Sequence, residues 1–540
     1  MIFAAGVICS FLIYLVIGTL VGRRVKDRSD YYVAGRAAPT ILVSGTLVAS
    51  FLSTVAFMGE VGFAYDGYAV LMLVLTPLNA SGYVIGVLLF GRYLRRSEVL
   101  TVPEFFGKRF DSRALQAVAG GTVLIGIGAY LIAVTQGMSL LLEDLIGVNF
   151  GIALLVVWVA YTVFTLISGS PGVLINDTIM FFIFMVAGVL GMLYLIGEAG
   201  GPSAVMSELA NLQGKPGILS PHGVVTGPDA AYGSPAEAVL WAVTLGIVWA
   251  TIVAVSPWQS SRYLMAKNEH VSIRSGFVAM ICVLFLYIFL MLGGATINLF
   301  NPEISPSEIA FIWAAQNVLP TWLGVIVITG IVAAGLSSAA AFLALIGFSA
   351  AHDIAPTFVR TQRDERAALR FSRAVMLALG LVVLVVTFFA PPAVFTIGYF
   401  AATLFAASWG PVAILSIYSE RVTARGAIAG MVAGFVTVFV LQGLIEFAGV
   451  GLPIWADPVI LGFAASFLGI FVGSIGQRQS DPGLDFRRSI ITVPKEDLEP
   501  SRVRSTGRIA LVTAALSVGL ILTLFLIYYF PYSQSLTAST

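Results

Sequence analysis

Residues 38–65 read APTILVSGTLVASFLSTVAFMGEVGFAY, and residues 321–351 read TWLGVIVITGIVAAGLSSAAAFLALIGFSAA. Each exceeds the roughly 20 apolar residues a helix needs to cross a bilayer. Each also carries hydroxyls and glycine near its centre, where hydrocarbon offers a polar group no partner. Ser50, Ser53 and Thr54 stand at i, i+3 and i+4, which puts them on one face of a continuous helix. Two readings fit them. In one, the hydroxyls bond the preceding turn or a neighbouring helix; in the other, a break in the helix frees the carbonyls of Ala49 and Leu52 for a cation. In the second stretch Ser337 and Ser338 sit among alanines beside Gly335. Hard cations such as Na⁺ take several oxygen ligands, which Ser hydroxyls and backbone carbonyls supply without a buried net charge. Small-residue packing also accounts for that run.

These two stretches belong to a series. The 540 residues are 58% hydrophobic and 11% charged, against about 25% charged in globular chains. Fourteen apolar stretches fall at 2–21, 38–65, 68–91, 114–142, 150–168, 173–197, 237–256, 273–297, 321–351, 371–390, 392–417, 424–445, 457–476 and 508–530. The expected fold is therefore an all-α polytopic membrane protein of about fourteen transmembrane helices, embedded in a lipid bilayer. A net charge of +1 gives no reason for a nucleic-acid partner, and no obligatory protein partner is evident. Cys9 and Cys282 lie in apolar runs, which excludes a disulfide framework. His222, His270 and His352 are far apart, against a His-based metal site. No GxxxxGK[ST] pattern occurs, which disfavours ATP-driven transport.

Orientation follows from the basic residues, because cytoplasmic loops hold the excess of Lys and Arg. Arg23, Arg24, Lys26 and Arg28 follow the first apolar run instead of preceding it, so it reads as a span with its N-terminus outside and not as a cleavable signal. With fourteen spans and that start, every Lys and Arg except Lys215 falls in an inside segment. The expected location is the plasma (inner) membrane with both termini extracytoplasmic. The connections 198–236 and 477–507 are too polar or too rich in Gly and Pro to hold a core of their own.

Other polar residues inside or beside the spans carry specific expectations. Asp177 reads as a lone acid near hydrocarbon depth, either functional or a cap on helix N–H groups. Pro257 ends the seventh apolar run, and Arg262 marks the cytoplasmic boundary. Gly426, Gly430 and Gly434 form a close-packing ridge. Trp249, Tyr399 and Trp409 are candidates to line a cavity.

Three loop motifs then carry a resemblance. Asp30-Tyr31-Tyr32-Val33-Ala34-Gly35-Arg36, Thr101-Val102-Pro103-Glu104-Phe105-Phe106-Gly107-Lys108-Arg109-Phe110 and Ser261-Arg262-Tyr263-Leu264-Met265-Ala266-Lys267, in that order, resemble the sodium:solute symporter family over about residues 5–475. Leu174-Ile175-Asn176-Asp177-Thr178 is more similar to its pantothenate and monocarboxylate members than to its sugar members. The resemblance implies two inverted five-helix repeats, at 38–197 and 237–417. Residues 1–37 would hold an extra helix and a cytoplasmic loop, 424–476 two further helices, 477–507 a cytoplasmic linker and 508–530 a last helix. It also implies a Na⁺ site on the carbonyls of Ala49, Leu52 and Ala334 and the hydroxyls of Ser337 and Ser338. Two-sodium members have hydroxyls where this chain has Ala340 and Ala341, which implies one Na⁺ per cycle and leaves Asp177 an auxiliary role. Proline-transporting members have an aspartate where this chain has Phe51.

The expected function is Na⁺-coupled symport of a small organic solute by alternating access, the solute being a monocarboxylate or pantothenate-like acid. Its carboxylate would meet Ser53, Thr54, Asn79 and Gln136, with Trp249 lining the cavity. Proton coupling, amino-acid or sugar uptake, a membrane-embedded enzyme and a sensor scaffold are the alternatives. An enzyme would need clustered acid, base or metal groups at membrane depth. Hydroxyl and carbonyl ligands cannot titrate near neutral pH, which opposes proton coupling.

Overall fold

A computed structural model describes residues 2–23, 27–227, 230–358, 365–390 and 393–529. Arg24, Lys26, Arg360 and Arg363, used in the orientation argument, lie outside the described residues. Among those described, twelve helices are long and apolar enough to cross a membrane. With the shorter α2 inserted in chain order, they are α1 (Ile2–Gly22), α2 (Thr40–Phe51), α3 (Val55–Ser97), α4 (Arg113–Ile146), α5 (Phe150–Glu198), α6 (Pro235–Leu264), α7 (Glu269–Leu299), α8 (Thr321–Phe358), α9 (Arg366–Phe389), α10 (Val394–Tyr418), α11 (Ala424–Ala448), α12 (Ile454–Ser474) and α13 (Pro500–Leu524).

The difference from fourteen separate helices has a backbone origin. α5 runs for 49 residues, more than twice the length that about 30 Å of hydrocarbon requires at about 1.5 Å per residue. It holds two apolar stretches, joined at Gly169 with φ 56 and ψ −172. Only glycine adopts that conformation readily, and a Cβ there would stand 2.6 Å from the Tyr31 ring. α3 likewise runs through Gly67 at φ 116, so its first part completes the 38–65 stretch begun by α2.

Polar caps mark where several helices start. Ser112, Asn149, Ser234, Asn268 and Thr423 each accept a backbone N–H of the first turn, satisfying donors that have no intrahelical partner. Burial then sorts the helices. α8 and α10 are 83% buried over their most apolar windows, whereas α1 is 17% and α13 11%. The polar-bearing spans thus form the centre and the plain apolar ones the lipid-facing rim. In α11, Gly426 and Gly430 pack on α12 and Gly434 on Ala407, as expected of the glycine ridge.

α2 is anchored at its N-terminal start. Ala38 pairs with Ala266 as an isolated parallel bridge, Ala38 N donating to Met265 O at 3.1 Å and Lys267 N to Ala38 O at 3.0 Å. That ties the helix before the break to the loop after α6.

Candidate cation and solute site

The 38–65 stretch is interrupted at its middle. α2 stops at Phe51, and Leu52 turns extended with φ −77 and ψ 106. Ser53 accepts the Val55 N–H at 3.1 Å through its own Oγ, restarting the helix. Among the described residues no backbone N–H donates to the carbonyl of Ala49 or of Leu52. The break therefore exposes the two carbonyls that packing alone would have kept paired. It also corrects the expectation of one shared hydroxyl face. Ser50 accepts from Gln259 Nε2 at 3.3 Å, Ser53 caps, and Thr54 donates to Val134 O at 3.3 Å.

α8 passes against this break. Ser338 Oγ donates to Ala49 O at 3.4 Å, and Gly335 brings α8 in so closely that a Cβ would stand 2.9 Å from Thr54 Cγ2. Ala334, Ser337 and Ser338 occupy one buried turn of α8. Ser337 Oγ donates to Asp177 Oδ1 at 2.6 Å, and Thr46 Oγ1 donates to Asp177 Oδ2 at 2.5 Å. A hydroxyl that gives its proton to a carboxylate keeps its oxygen lone pairs for a cation. The arrangement thus offers two carbonyls and two hydroxyls across α2 and α8, with Ala334 one turn from the serines. A hard cation without strong geometric demands suits such a set.

Asp177 is fully buried inside α5, past the Gly169 junction, and caps no helix end. Its α5 neighbour Asn176 donates to Tyr14 O at 3.1 Å. Arg262 is also corrected: it is 3% exposed and its NH2 lies 3.9 Å from Asp177 Oδ2. A backbone turn at Ser256 (φ −60, ψ 150) carries Pro257–Leu264 under the broken helix and places the guanidinium there.

The expected solute residues divide. Phe51 centres an aromatic group, its ring 5.5 Å from Trp249, 6.1 Å from Tyr83 and 6.4 Å from Tyr287. Trp249 Nε1 and both amide atoms of Asn79, one turn from Tyr83, are buried with no protein partner. Buried polar atoms are nearly always satisfied, so these are the groups here with hydrogen-bonding capacity left to offer a solute. Gln136 differs, because it donates to Ala390 O and accepts from Ala393 N, both at 3.3 Å. It holds the chain entering α10. Of the cavity candidates, Trp409 bonds Thr122 at 2.9 Å and Tyr399 bonds Asp457 at 3.1 Å, so both have structural partners.

Glu60 was not singled out by the sequence, where Asp177 read as the lone acid at depth. It is 2% exposed, in the π-helical turn Val55–Glu60 just beyond the break. Its signal was available as a charge inside an apolar run, the pattern that marks intramembrane function.

Residues 31–434 match the model of the sodium:solute symporter family. The chain belongs to that family. The sodium/pantothenate symporter of Escherichia coli K12 is 23% identical over 454 residues, covering 83% of this chain and 90% of its own. A sodium/proline symporter of Haemophilus influenzae is 25% identical over 489 residues, covering 86% and 94%. A Na⁺-coupled sialic acid symporter, solved in a substrate-bound outward-open state, superposes with a TM-score of 0.74 at 16% identity over 89% of this chain and 99% of that one. That likeness shows the fold, an inverted-repeat transporter. As a family member the chain is a multi-pass Na⁺-coupled solute symporter, with Na⁺ as its coupling ion.

Proposed function

We propose that this symporter moves one Na⁺ per cycle with a small solute bearing a carboxylate. The Na⁺ would bind the carbonyls of Ala49, Leu52 and Ala334 and the hydroxyls of Ser337 and Ser338. The observation that carries this reading is the interruption at Leu52 beside the serine pair of α8. Among the described residues it leaves the Ala49 and Leu52 carbonyls without a backbone N–H, next to Ser338 and to Ser337, the latter oriented by Asp177. Asp177 acts as an auxiliary group that fixes Ser337 and balances the cation's charge without touching it. Ala340 and Ala341, which have no ligand oxygens, support a single ion.

The two repeats run at 38–197 and 237–417, so α2 and α8 open corresponding halves. Na⁺ bridging them favours one arrangement of the halves, and a solute bound against the same break gains affinity from it. By linkage the solute raises Na⁺ affinity by the same factor. Asn79, Thr54 and Ser53 receive the carboxylate, helped by helix termini at the break. Relatives named for pantothenate and proline, both carboxylic acids, support that class. The cycle needs no covalent chemistry, which supports a transporter with no enzymatic step. Uptake of labelled carboxylic acids into proteoliposomes of the purified chain, with and without an imposed Na⁺ gradient, tests the reading. Accumulation only with the gradient is expected; equal uptake without Na⁺ overturns it.

A further inference from the structure

Glu60 is a buried acid that the Na⁺ site does not use. Its Oε2 has no hydrogen-bond partner, and among the described residues no Lys, Arg or His pairs with it. The polar groups that face it are the hydroxyls of Tyr287 and Tyr130. Neither can neutralise a carboxylate. An acid so enclosed, with no cation of its own, is costly to ionise unless a positive group arrives to pair with it, and stays protonated otherwise.

Its surroundings say what arrives. Tyr287 joins Glu60 to the aromatic group of Phe51 and Trp249, whose ring faces attract a positive nitrogen. On the outer side, Phe63 lies one helical turn beyond Glu60 and lines a vestibule together with Asp66, Glu303, Glu308 and Lys215. The segment that carries Glu60 packs directly on the vestibule wall, a Cβ at Gly62 standing 2.9 Å from the Ser307 backbone. Lys215 is committed, Nζ donating to Tyr65 O and Asn298 Oδ1 at 2.8 Å each. Three acids against one engaged lysine favour entry of cationic groups and oppose a bare anion. A plain carboxylate seated beside Asn79 would moreover face Glu60 through a low-dielectric gap, where like charges repel strongly.

We propose that Glu60 receives a protonated or quaternary nitrogen of the transported solute, so that the solute is an amino- or ammonium-bearing acid. This rests on the solute position proposed above and narrows its class. The carboxylate lies toward the break and the nitrogen between Glu60 and the rings. The solute then enters with no net charge, leaving Na⁺ as the charge that is moved.

The test uses the purified full chain and a fixed set of probes: the common L-amino acids, γ-aminobutyrate and glycine betaine in one group, acetate, lactate, pyruvate and pantothenate in the other. Binding is read as a rise in unfolding temperature in Na⁺, and transport as uptake of the labelled probes into proteoliposomes. At least one member of the first group is expected to bind and be taken up, and none of the second. Glu60→Gln should raise the half-saturating concentration of that solute about 100-fold while leaving the Na⁺ concentration for half-maximal Na⁺-induced stabilisation unchanged. Glu60→Asp should retain part of the affinity. Uptake of any member of the second group, no response to any of the first group, or a Glu60→Gln change in Na⁺ dependence alone would overturn the assignment. Should the amino probes be taken up without Na⁺, the coupling site fails while the Glu60 assignment stands. The wild-type comparison keeps the test decisive even where Glu60→Gln does not fold.

Discussion

Ser337 and Ser338 each place one oxygen at the break, but they are held differently. Ser337 is locked by Asp177, whereas Ser338 reaches only the Ala49 carbonyl, at 3.4 Å. Ser337→Ala and Ser338→Ala should each raise the Na⁺ concentration for half-maximal uptake, by about 10-fold, as loss of one charge-assisted contact of about 1.5 kcal/mol implies. Unchanged Na⁺ dependence in both well-expressed variants removes the serines from the site. Asp177→Ala leaves Arg262 buried without its counter-charge and should cost about 3–5 kcal/mol of stability. Adding Arg262→Met should recover part of that loss in thermal unfolding; an additive further loss would show that the two side chains do not act as a pair. The serines stood out only as one of two readings of a small-residue run, and it was the family resemblance that singled them out as cation ligands. Arg262 and Glu60 were not legible as buried charges. A charge at the end of an apolar run reads as a membrane boundary until the turn at Ser256 is seen to fold it inward, and a single acid among 28 apolar-patterned residues is invisible to a count of spans.

At the scale of elements, the interruption of the 38–65 stretch was one of two open readings, since hydroxyls and glycine serve packing and breaking alike. What decides it is the partner helix. Gly335 lets α8 approach until a Cβ would stand 2.5 Å from Met138 Cγ as well as close to Thr54, so the break is filled from outside instead of by its own backbone. Gly335→Ala should therefore cost about 1–3 kcal/mol by overpacking and weaken Na⁺ dependence together with stability. Gly121→Ala, where a Cβ meets nothing within 4 Å, should leave both unchanged or slightly improve stability through helix propensity. Equal effects at the two positions would mean that close approach at the break is not what Gly335 provides. The same limit of sequence reading explains α5. Period and hydropathy located both of its apolar stretches, yet whether Gly169 ends a helix or only bends a longer one depends on Tyr31 packing beneath it, a contact 138 residues away in the chain.

The whole molecule was legible as a multi-pass membrane protein, because the apolar stretches are set by the bilayer and not by packing. The distribution of Lys and Arg further predicts the 198–236 segment outside and 477–507 inside. A cysteine at the exposed Ser207 should react with an impermeant maleimide from outside in a chain lacking Cys9 and Cys282, and one at Ser489 should react only after the membrane is opened. The reverse pattern overturns the orientation. α13 links two regions that this distribution places apart. At one end Thr506 Oγ1 lies 2.9 Å from His270 Nδ1, near the start of α7, while beyond its other end Tyr528 bonds the carbonyl of Leu219 in the 198–236 segment. On the predicted orientation these two ties lie on opposite faces, and α13 crosses between them. Yet α13 is only 11% buried and packs chiefly on α7, so most of its apolar surface is left for lipid. A chain ending before Pro500 should keep Na⁺-driven uptake with an unchanged half-saturating Na⁺ concentration, while its unfolding temperature falls by a few degrees as the His270 and Leu219 ties are lost. Abolished uptake in a stably folded truncation would place α13 in the transport machinery and not at its rim.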